Sequence, residues 1–167
     1  FLDILLDFLE LTLAHICICL VNFPPFILSL CVSAREMNSD VYVFSLFPGV
    51  QENIVRHMMD APELKSIIMR TYGSGNAPQY PWLTRLLREA YDRGITVVNI
   101  SQCVSGQVEM SRYDAGFHLK DAGVISGYDS TVEAALTKLM FLQARYKDPA
   151  DIRRLMQQSL AGEITVE

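Results

Sequence analysis

The residues best placed to do chemistry lie in two short loops that are rich in small residues. The first reads Thr71-Tyr-Gly-Ser-Gly-Asn-Ala-Pro78 and the second reads Ser101-Gln-Cys-Val-Ser-Gly106. Asn76 offers amide donors and a carbonyl acceptor, and Cys103 offers a thiol, which reacts once it is ionised. Small residues let a ligand approach backbone N–H groups closely. The two loops therefore predict a ligand-binding edge.

Familiar catalytic motifs are incomplete in this sequence. Pro78 occupies the third glycine position of a Gly-x-Gly-x-x-Gly dinucleotide fingerprint, and no Gly-Lys-Ser/Thr of a P-loop occurs. The Gly-x-Ser-x-Gly elbow of serine hydrolases is missing too. Nothing places His57 or His118 beside a nucleophile, and Cys103 has no identifiable partner, so inert roles are favoured for all three. The pattern alone indicates a binding domain without a complete catalytic set.

Two further candidates have simple structural explanations. His15, Cys17 and Cys19 alternate and would share one face of a strand. A metal site usually needs a fourth ligand and another spacing, so we expect no metal there. From the residues alone, Asn76 is better explained as a turn residue that tolerates left-handed backbone than as a ligand-binding amide.

Strands and helices alternate from about residue 39. β-branched, aromatic or continuous apolar runs predict strands at 41–47, 64–69 and 95–100, with a brief fourth at 124–125. Apolar stripes and end signals predict helices over 50–60, 81–94, 112–122, 130–140 and 148–162. Ser130-Thr-Val-Glu133 has the capping-box spacing. Two of the predicted buried stripes are Leu83, Leu86, Leu87, Ala90 and Tyr91, and then Val132, Leu136, Leu139 and Met140.

This alternation predicts the fold class. Strands that alternate with helices form βαβ units and a parallel sheet. We expect an α/β domain of three layers, Rossmann-like (flavodoxin-like), with a small, mostly parallel sheet flanked by helices. Ligands of such sheets bind beyond the carboxyl ends of the strands, where both loops lie.

Composition limits the class of partner. The chain has 167 residues, of which 50% are hydrophobic and 20% charged, so it can bury a core. Its net charge is −5 and it has no run of basic residues, which argues against a nucleic-acid partner. Four cysteines are too few for a disulfide scaffold at this length.

The first part of the chain differs from the rest. No charged residue occurs between Glu10 and Arg35, but Pro24 and Pro25 interrupt this apolar stretch. Neither half reaches the ~20 residues of a membrane-spanning helix, so we do not expect a membrane anchor. We expect residues 1–38 to be an apolar segment that is non-native or a truncated remnant, and residues 39–167 to form the α/β domain.

Seven motifs after Phe47 resemble a known family. They are Phe47-Pro-Gly-Val-Gln-Glu52, Thr71-Tyr-Gly-Ser-Gly-Asn-Ala-Pro78, Asp92-Arg-Gly-Ile95, Val98-Asn-Ile-Ser-Gln-Cys103, Ala122-Gly-Val-Ile-Ser-Gly127, Thr131-Val-Glu-Ala-Ala-Leu-Thr-Lys-Leu139 and Leu160-Ala-Gly-Glu-Ile164. Their order and spacing resemble the C-terminal domain of bacterial type I (cytoplasmic) L-asparaginases over about residues 39–167. The Tyr-Gly-x-Gly-Asn-Ala-Pro loop is the most diagnostic motif.

The resemblance implies hydrolysis of L-asparagine to L-aspartate and ammonia, in the cytoplasm and without a cofactor. In that family the nucleophilic threonines lie in an N-terminal catalytic domain, in motifs such as Thr-Gly-Gly-Thr-Ile and Gly-Thr-Asp-Thr. Neither motif occurs in this chain. The resemblance therefore implies no catalytic residue here, and we expect the isolated chain to be inactive.

The resemblance gives this domain narrower roles. It implies contacts in a homo-oligomer and with the N-terminal catalytic domain. It also implies a substrate-positioning role for Asn76, with Gly75 beside it, in a neighbouring subunit's active site. Arg70 and Cys103 match positions that line an asparagine effector site in some members, and the guanidinium fork of an arginine suits a carboxylate ligand.

Three rival interpretations remain open at this point. An asparaginase-like subunit of the archaeal glutamyl-tRNA(Gln) amidotransferase shares the fold, although the Asn-Ala-Pro loop favours the free amino acid. A regulatory module that binds asparagine without turning it over would carry the same loops. A membrane-anchored protein with an asparaginase-like domain would account for the apolar first segment.

Overall fold

A computed structural model of the chain describes residues 36–104, 106–110 and 114–165, with the backbone alone for 114–117. Most of the predicted apolar segment, and with it His15, Cys17 and Cys19, lies outside the described residues. The division into 1–38 and 39–167 therefore stays a prediction.

The sheet has four parallel strands in the order β1-β2-β3-β4. The strands are β1 Val41–Ser45, β2 Ser66–Thr71, β3 Thr96–Ser101 and β4 Ile125–Ser126. β2 and β3 each have a neighbour on both sides and are almost wholly buried, which explains their continuous apolar runs. The prediction of an α/β fold with a small parallel sheet is confirmed.

Helices cover both faces of this sheet. They are α1 Glu52–Met59, α2 Pro81–Asp92, α3 Asp114–Asp121, α4 Val132–Arg145 and α5 Pro149–Met156. Alternate strand residues point to opposite faces, so Ile67 packs with α1, α2 and α3 while Ile68 packs with α4 and α5. The predicted three layers follow from these two cores. Within the described residues, no helix is long and apolar enough to cross a bilayer.

The two central strands lie slightly later in the chain than predicted. β2 was expected at 64–69, but the N–H of Leu64 donates to the carbonyl of Ala61 in a turn at 3.2 Å, and pairing begins only at Ser66. β3 was expected from Ile95, whose N–H instead donates to the carbonyl of Ala90 at 2.9 Å. As a result, both strands extend to the first residues of the predicted ligand loops.

Tyr91 does not belong to the buried stripe of α2. The other four residues of the predicted stripe are buried, but Tyr91 remains 37% exposed. The guanidinium of Arg153 lies 3.9 Å from the centre of its ring. Gly123 is close to the same ring, so that a Cβ at Gly123 would clash with it. The ring therefore packs between α5 and the end of α3 rather than in the core.

The first turn of α4 is capped one residue later than predicted. The Thr131 hydroxyl, rather than that of Ser130, accepts the N–H of Ala134 at 3.2 Å. Of the predicted stripe only Leu139 is fully buried, and the buried face of α4 consists of Ala135, Lys138, Leu139, Leu142 and Gln143. The spacing of apolar residues does not predict this face, because two of its residues, Lys138 and Gln143, are polar and are buried with partners.

Lys138 is buried because it holds the segment that follows α5. Its Nζ lies 2.6 Å from Glu163 Oε1 and also donates to the carbonyls of Met156 and Gln158. Burial alone would raise the pKa of Glu163, but hydrogen bonds from Lys138 and the N–H groups of Ala161 and Leu160 lower that pKa to about 2.

Since α5 ends at Met156, the prediction that Gly162 ends this helix is wrong.

Candidate functional site

The two predicted ligand loops leave the same edge of the sheet. β2 ends at Thr71 and β3 ends at Ser101, and these two residues are partners in the register. The N–H of Gln102 then donates to the carbonyl of Thr71 at 2.8 Å. The loops therefore start side by side at the carboxyl ends of neighbouring strands, which is where parallel sheets bind ligands.

The first loop begins with a tight turn over residues 72–76. The N–H of Tyr72 donates to the carbonyl of Asn76 at 2.9 Å, and the N–H of Asn76 donates back to the carbonyl of Tyr72 at 2.8 Å. Gly75 has a φ of +98°, and a Cβ there would lie 2.7 Å from Val108 Cγ1. Both the conformation and the space at this position therefore require glycine.

Asn76 closes the turn with a half-buried side chain. Within the described residues, the only non-glycine with positive φ is Tyr128, so tolerance of left-handed backbone does not explain why asparagine stands at this position. Its side-chain amide forms no hydrogen bond with any residue of the described part of the chain. The carboxamide therefore keeps two donors and an acceptor for a ligand.

Two polar side chains of β3 hold this turn against the sheet. Asn99 donates through Nδ2 to the carbonyl of Gly75 at 2.9 Å and accepts the Thr71 hydroxyl at 2.6 Å. Ser101 donates its hydroxyl to the carbonyl of Gly73 at 2.6 Å. Hydrogen bonds thus tie the turn to β3, one of the two central strands of the sheet.

Arg70 and Cys103 lie at the same edge of the sheet. Gln102, which precedes Cys103 in the chain, is bonded to the backbone of Arg70. Its Nε2 donates to the carbonyls of Leu46 at 2.7 Å and of Arg70 at 3.0 Å. Arg70 is half-buried, and its Nε is buried without a hydrogen-bond partner among the described residues. Cys103 is exposed, and its N–H donates to the Ser101 hydroxyl at 3.0 Å. Arg70 thus lies one residue before the end of β2, and Cys103 lies two residues after the end of β3.

Comparison with known proteins identifies the family of this domain. The model of the glutaminase/asparaginase C-terminal domain matches residues 40–156. The chain belongs to the glutaminase/asparaginase C-terminal domain family. L-asparaginase 1 of Escherichia coli K12 is 48% identical over 123 residues, which cover 74% of this chain and 36% of that protein. This confirms the resemblance to type I asparaginases.

Other relatives carry different names. The human 60 kDa lysophospholipase is 42% identical over 78% of this chain and 22% of its own length. A glutamyl-tRNA(Gln) amidotransferase component from Methanobrevibacter smithii is 36% identical over 77% of this chain and 30% of its own length. The chain therefore spans about a third or less of these curated relatives.

A solved structure supports the fold of the domain. The crystal structure of L-asparaginase I from Vibrio cholerae matches with a TM-score of 0.73 and 42% identity, over 77% of this chain and 38% of that one. The layers and the parallel sheet of the asparaginase C-terminal domain are therefore those seen in a relative of high sequence similarity.

The remaining sequence candidates lie away from this edge. His57 is exposed on α1 and His118 is exposed on α3. Neither imidazole forms a hydrogen bond or ion pair with another described residue. By contrast, Asn99 and Ser101, which hold the turn at 72–76, were not singled out from the sequence. Their signal was weak: polar residues inside the otherwise apolar strand Thr96–Ser101.

Proposed function

We propose that this chain supplies the C-terminal part of an L-asparaginase, which hydrolyses L-asparagine to L-aspartate and ammonia. The observation that supports it best is the turn at 72–76. It is fixed by its own backbone and by β3, and it carries at Asn76 a carboxamide without a partner among the described residues. A carboxamide can donate to the substrate's α-carboxylate and accept from its ammonium group.

The bond-breaking step is assigned to a separate catalytic domain. Neither threonine motif of the family's N-terminal domain occurs in the sequence. Asn76, with Gly75 beside it, positions the substrate in the active site of a neighbouring subunit. The chain by itself releases no ammonia, and the complete enzyme is a cytoplasmic homo-oligomer that needs no cofactor.

Arg70 and Cys103 are proposed to line an effector site for asparagine. The support is their position at the loop edge and the buried Arg70 Nε, which has no partner among the described residues. A guanidinium binds a carboxylate through two parallel hydrogen bonds, which lysine cannot reproduce. Arg70→Lys should therefore remove any sigmoidal dependence of rate on asparagine concentration while leaving the maximal rate within about twofold.

Ammonia release from asparagine tests the proposal. The purified chain is assayed alone and after mixing with the separately expressed N-terminal domain of Escherichia coli L-asparaginase 1. We expect release only after mixing. Asn76→Ala should then lower kcat/KM by about 10–100-fold, which is the usual cost of losing one polar contact that positions a substrate.

Asn53→Ala is the matched control, because it removes an exposed amide on α1 that lies outside the loops. It should leave kcat/KM unchanged. Release by the chain alone would mean that a catalytic residue is present in it. No release after mixing would contradict the proposal.

Two other functions compete with this proposal. The amidotransferase relative is less similar than L-asparaginase 1, at 36% against 48% identity. Calorimetric titration with asparagine, set beside the ammonia assay, separates binding from turnover. Binding without turnover after mixing would favour a regulatory module over an enzyme.

A further inference from the structure

Asn99 is an anomaly in the centre of the sheet. It is 0% exposed in β3, and its register partner in β2, Met69, is also 0% exposed. Burying a carboxamide among apolar side chains costs free energy unless its polar atoms are paired. A strand at this place would be served equally well by valine if packing alone mattered. The amide must therefore be explained by what it binds.

Both polar atoms of the Asn99 carboxamide are paired, one with the last residue of β2 and the other with a residue of the turn at 72–76. Oδ1 accepts the Thr71 hydroxyl at 2.6 Å, where β2 ends, and Nδ2 donates to the Gly75 carbonyl at 2.9 Å. The Gly75 carbonyl can only accept, so the nitrogen must face it and the orientation of the amide is fixed by chemistry. Aspartate has the same shape but no donor and cannot make this pair.

The Gly75 carbonyl belongs to the peptide unit that enters Asn76. The N–H of that same peptide unit donates to the Tyr72 carbonyl at 2.8 Å. Asn99 and Tyr72 thus hold the two sides of one peptide plane. The following peptide unit is held too, since the Asn76 carbonyl accepts the N–H of Tyr72 at 2.9 Å. With both flanking planes fixed, the direction of the Asn76 Cα–Cβ bond is fixed.

We infer that Asn99 is a positioning residue that sets the direction of the Asn76 side chain. This rests on the proposed function for the role of Asn76, but the effect on the turn does not. Asn99 is 0% exposed, so it acts through the peptide bond before Asn76. Gly75 completes the arrangement, because a Cβ there would lie 3.2 Å from Asn99 Nδ2.

Hydrogen exchange of single backbone amides in the full chain tests the effect on the turn. Asn99→Asp keeps the shape and loses the donor. It should raise exchange at the Asn76 amide at least tenfold more than at Ile68, a core amide in β2. Thr96→Val is the control, because Thr96 is buried in the same strand and its hydroxyl has no partner among the described residues. It should give no selective change at Asn76.

A second pair of variants keeps the test decisive if Asn99→Asp does not fold. Thr71→Val removes the hydroxyl that donates to Asn99 Oδ1, and Thr71→Ser retains it. Thr71→Val should reproduce the selective exchange at Asn76, and Thr71→Ser should restore protection. Equal exchange changes throughout the sheet, or none at Asn76, would overturn the inference.

Kinetics in the enzyme reconstituted with the catalytic domain test the positioning role. Asn99→Asp and Thr71→Val should raise KM for asparagine by about tenfold or more, with a smaller change in kcat, and Thr96→Val should change neither. Selective exchange with an unchanged KM would remove the positioning role. A reconstituted wild type without activity would instead count against the proposed function, and exchange alone would then decide the role of Asn99 in the turn.

Discussion

Two buried polar clusters each hold one turn of this domain, and they use different chemistry. The Asn99 cluster consists of Asn99, Thr71 and Gly75, is neutral, and fixes the turn at 72–76. The Lys138 cluster consists of Lys138 and Glu163, is ionic, and fixes the turn at 160–163. A neutral amide sets direction at little cost when all its atoms are paired. A buried ion pair depends on both charges being present.

The difference suits their places in the fold. The Asn99 cluster lies at the edge where a ligand is expected, and its hydrogen bonds do not change over the pH range in which carboxylates titrate. The Lys138 cluster lies on the face of the sheet that α4 and α5 cover, where α4 meets the segment after α5. Lys138 also donates hydrogen bonds to two carbonyl groups. Breaking each cluster should therefore give a different kind of defect.

Removing Lys138 should give the largest loss of stability. Lys138→Met leaves the Glu163 carboxylate, which is only 15% exposed, without its cation. Breaking a buried pair in this way costs about 3–5 kcal/mol of the free energy of unfolding, measured by urea denaturation. The control Arg154→Ala breaks an exposed pair with Asp151 and should cost below about 0.5 kcal/mol. Similar losses from both variants would contradict an ionic role for Lys138.

Acid should weaken the Lys138 cluster in a defined pH range. The pKa of Glu163 lies at about 2, below its ordinary value of 4.5, so its stabilisation is complete above pH 4.5 and is lost as the pH falls toward 2. This difference corresponds to about 3 kcal/mol. Urea denaturation at several pH values should show this slope in the wild type. Glu163→Gln should remove it, and a slope of the same size in Glu163→Gln would assign it to other carboxyl groups.

Gly75→Ala should damage the turn at 72–76 more than Gly73→Ala. Both glycines have positive φ, at +98° and +50°, which costs alanine about 1–2 kcal/mol. Only at Gly75 would the added Cβ also meet Val108, at 2.7 Å, whereas nothing lies within 4 Å at Gly73. We expect Gly75→Ala to lose about 1–2 kcal/mol more than Gly73→Ala in urea denaturation. Equal losses would mean that Val108 moves aside.

The sequence was sufficient to predict the layers and the edge where the loops meet. Strand runs in β2 and β3 and the stripes of the helices follow from side-chain periods, and the small residues of the loops mark where the chain must turn. Asn76 could be singled out by type, but the availability of its amide could not, because pairing depends on residues far along the chain.

The features that the sequence did not predict depend on contacts between residues far apart in the chain, which a local pattern does not show. Asn99 is a polar residue in an otherwise apolar strand, and its role becomes clear only from its hydrogen bond to the carbonyl of Gly75, 24 residues earlier. Lys138 and Gln143 look like solvent-facing positions of α4, but partners 25 and 77 residues away bury them. Tyr91 fits the apolar stripe by spacing, yet its ring is partly exposed and contacts the guanidinium of Arg153. In each case a long-range polar contact overrides the local period.

Ser101→Ala should give the smallest effect and shows whether the two loops move together. The Ser101 hydroxyl donates to the Gly73 carbonyl at 2.6 Å and accepts the N–H of Cys103 at 3.0 Å, so it belongs to both loops. Its loss should cost about 1 kcal/mol in urea denaturation. Because Asn99 still holds Gly75, amide exchange should rise at Cys103 and remain slow at Asn76. If exchange rises equally at both amides, Ser101 holds the turn together with Asn99, and the Asn99 cluster must be extended to include Ser101.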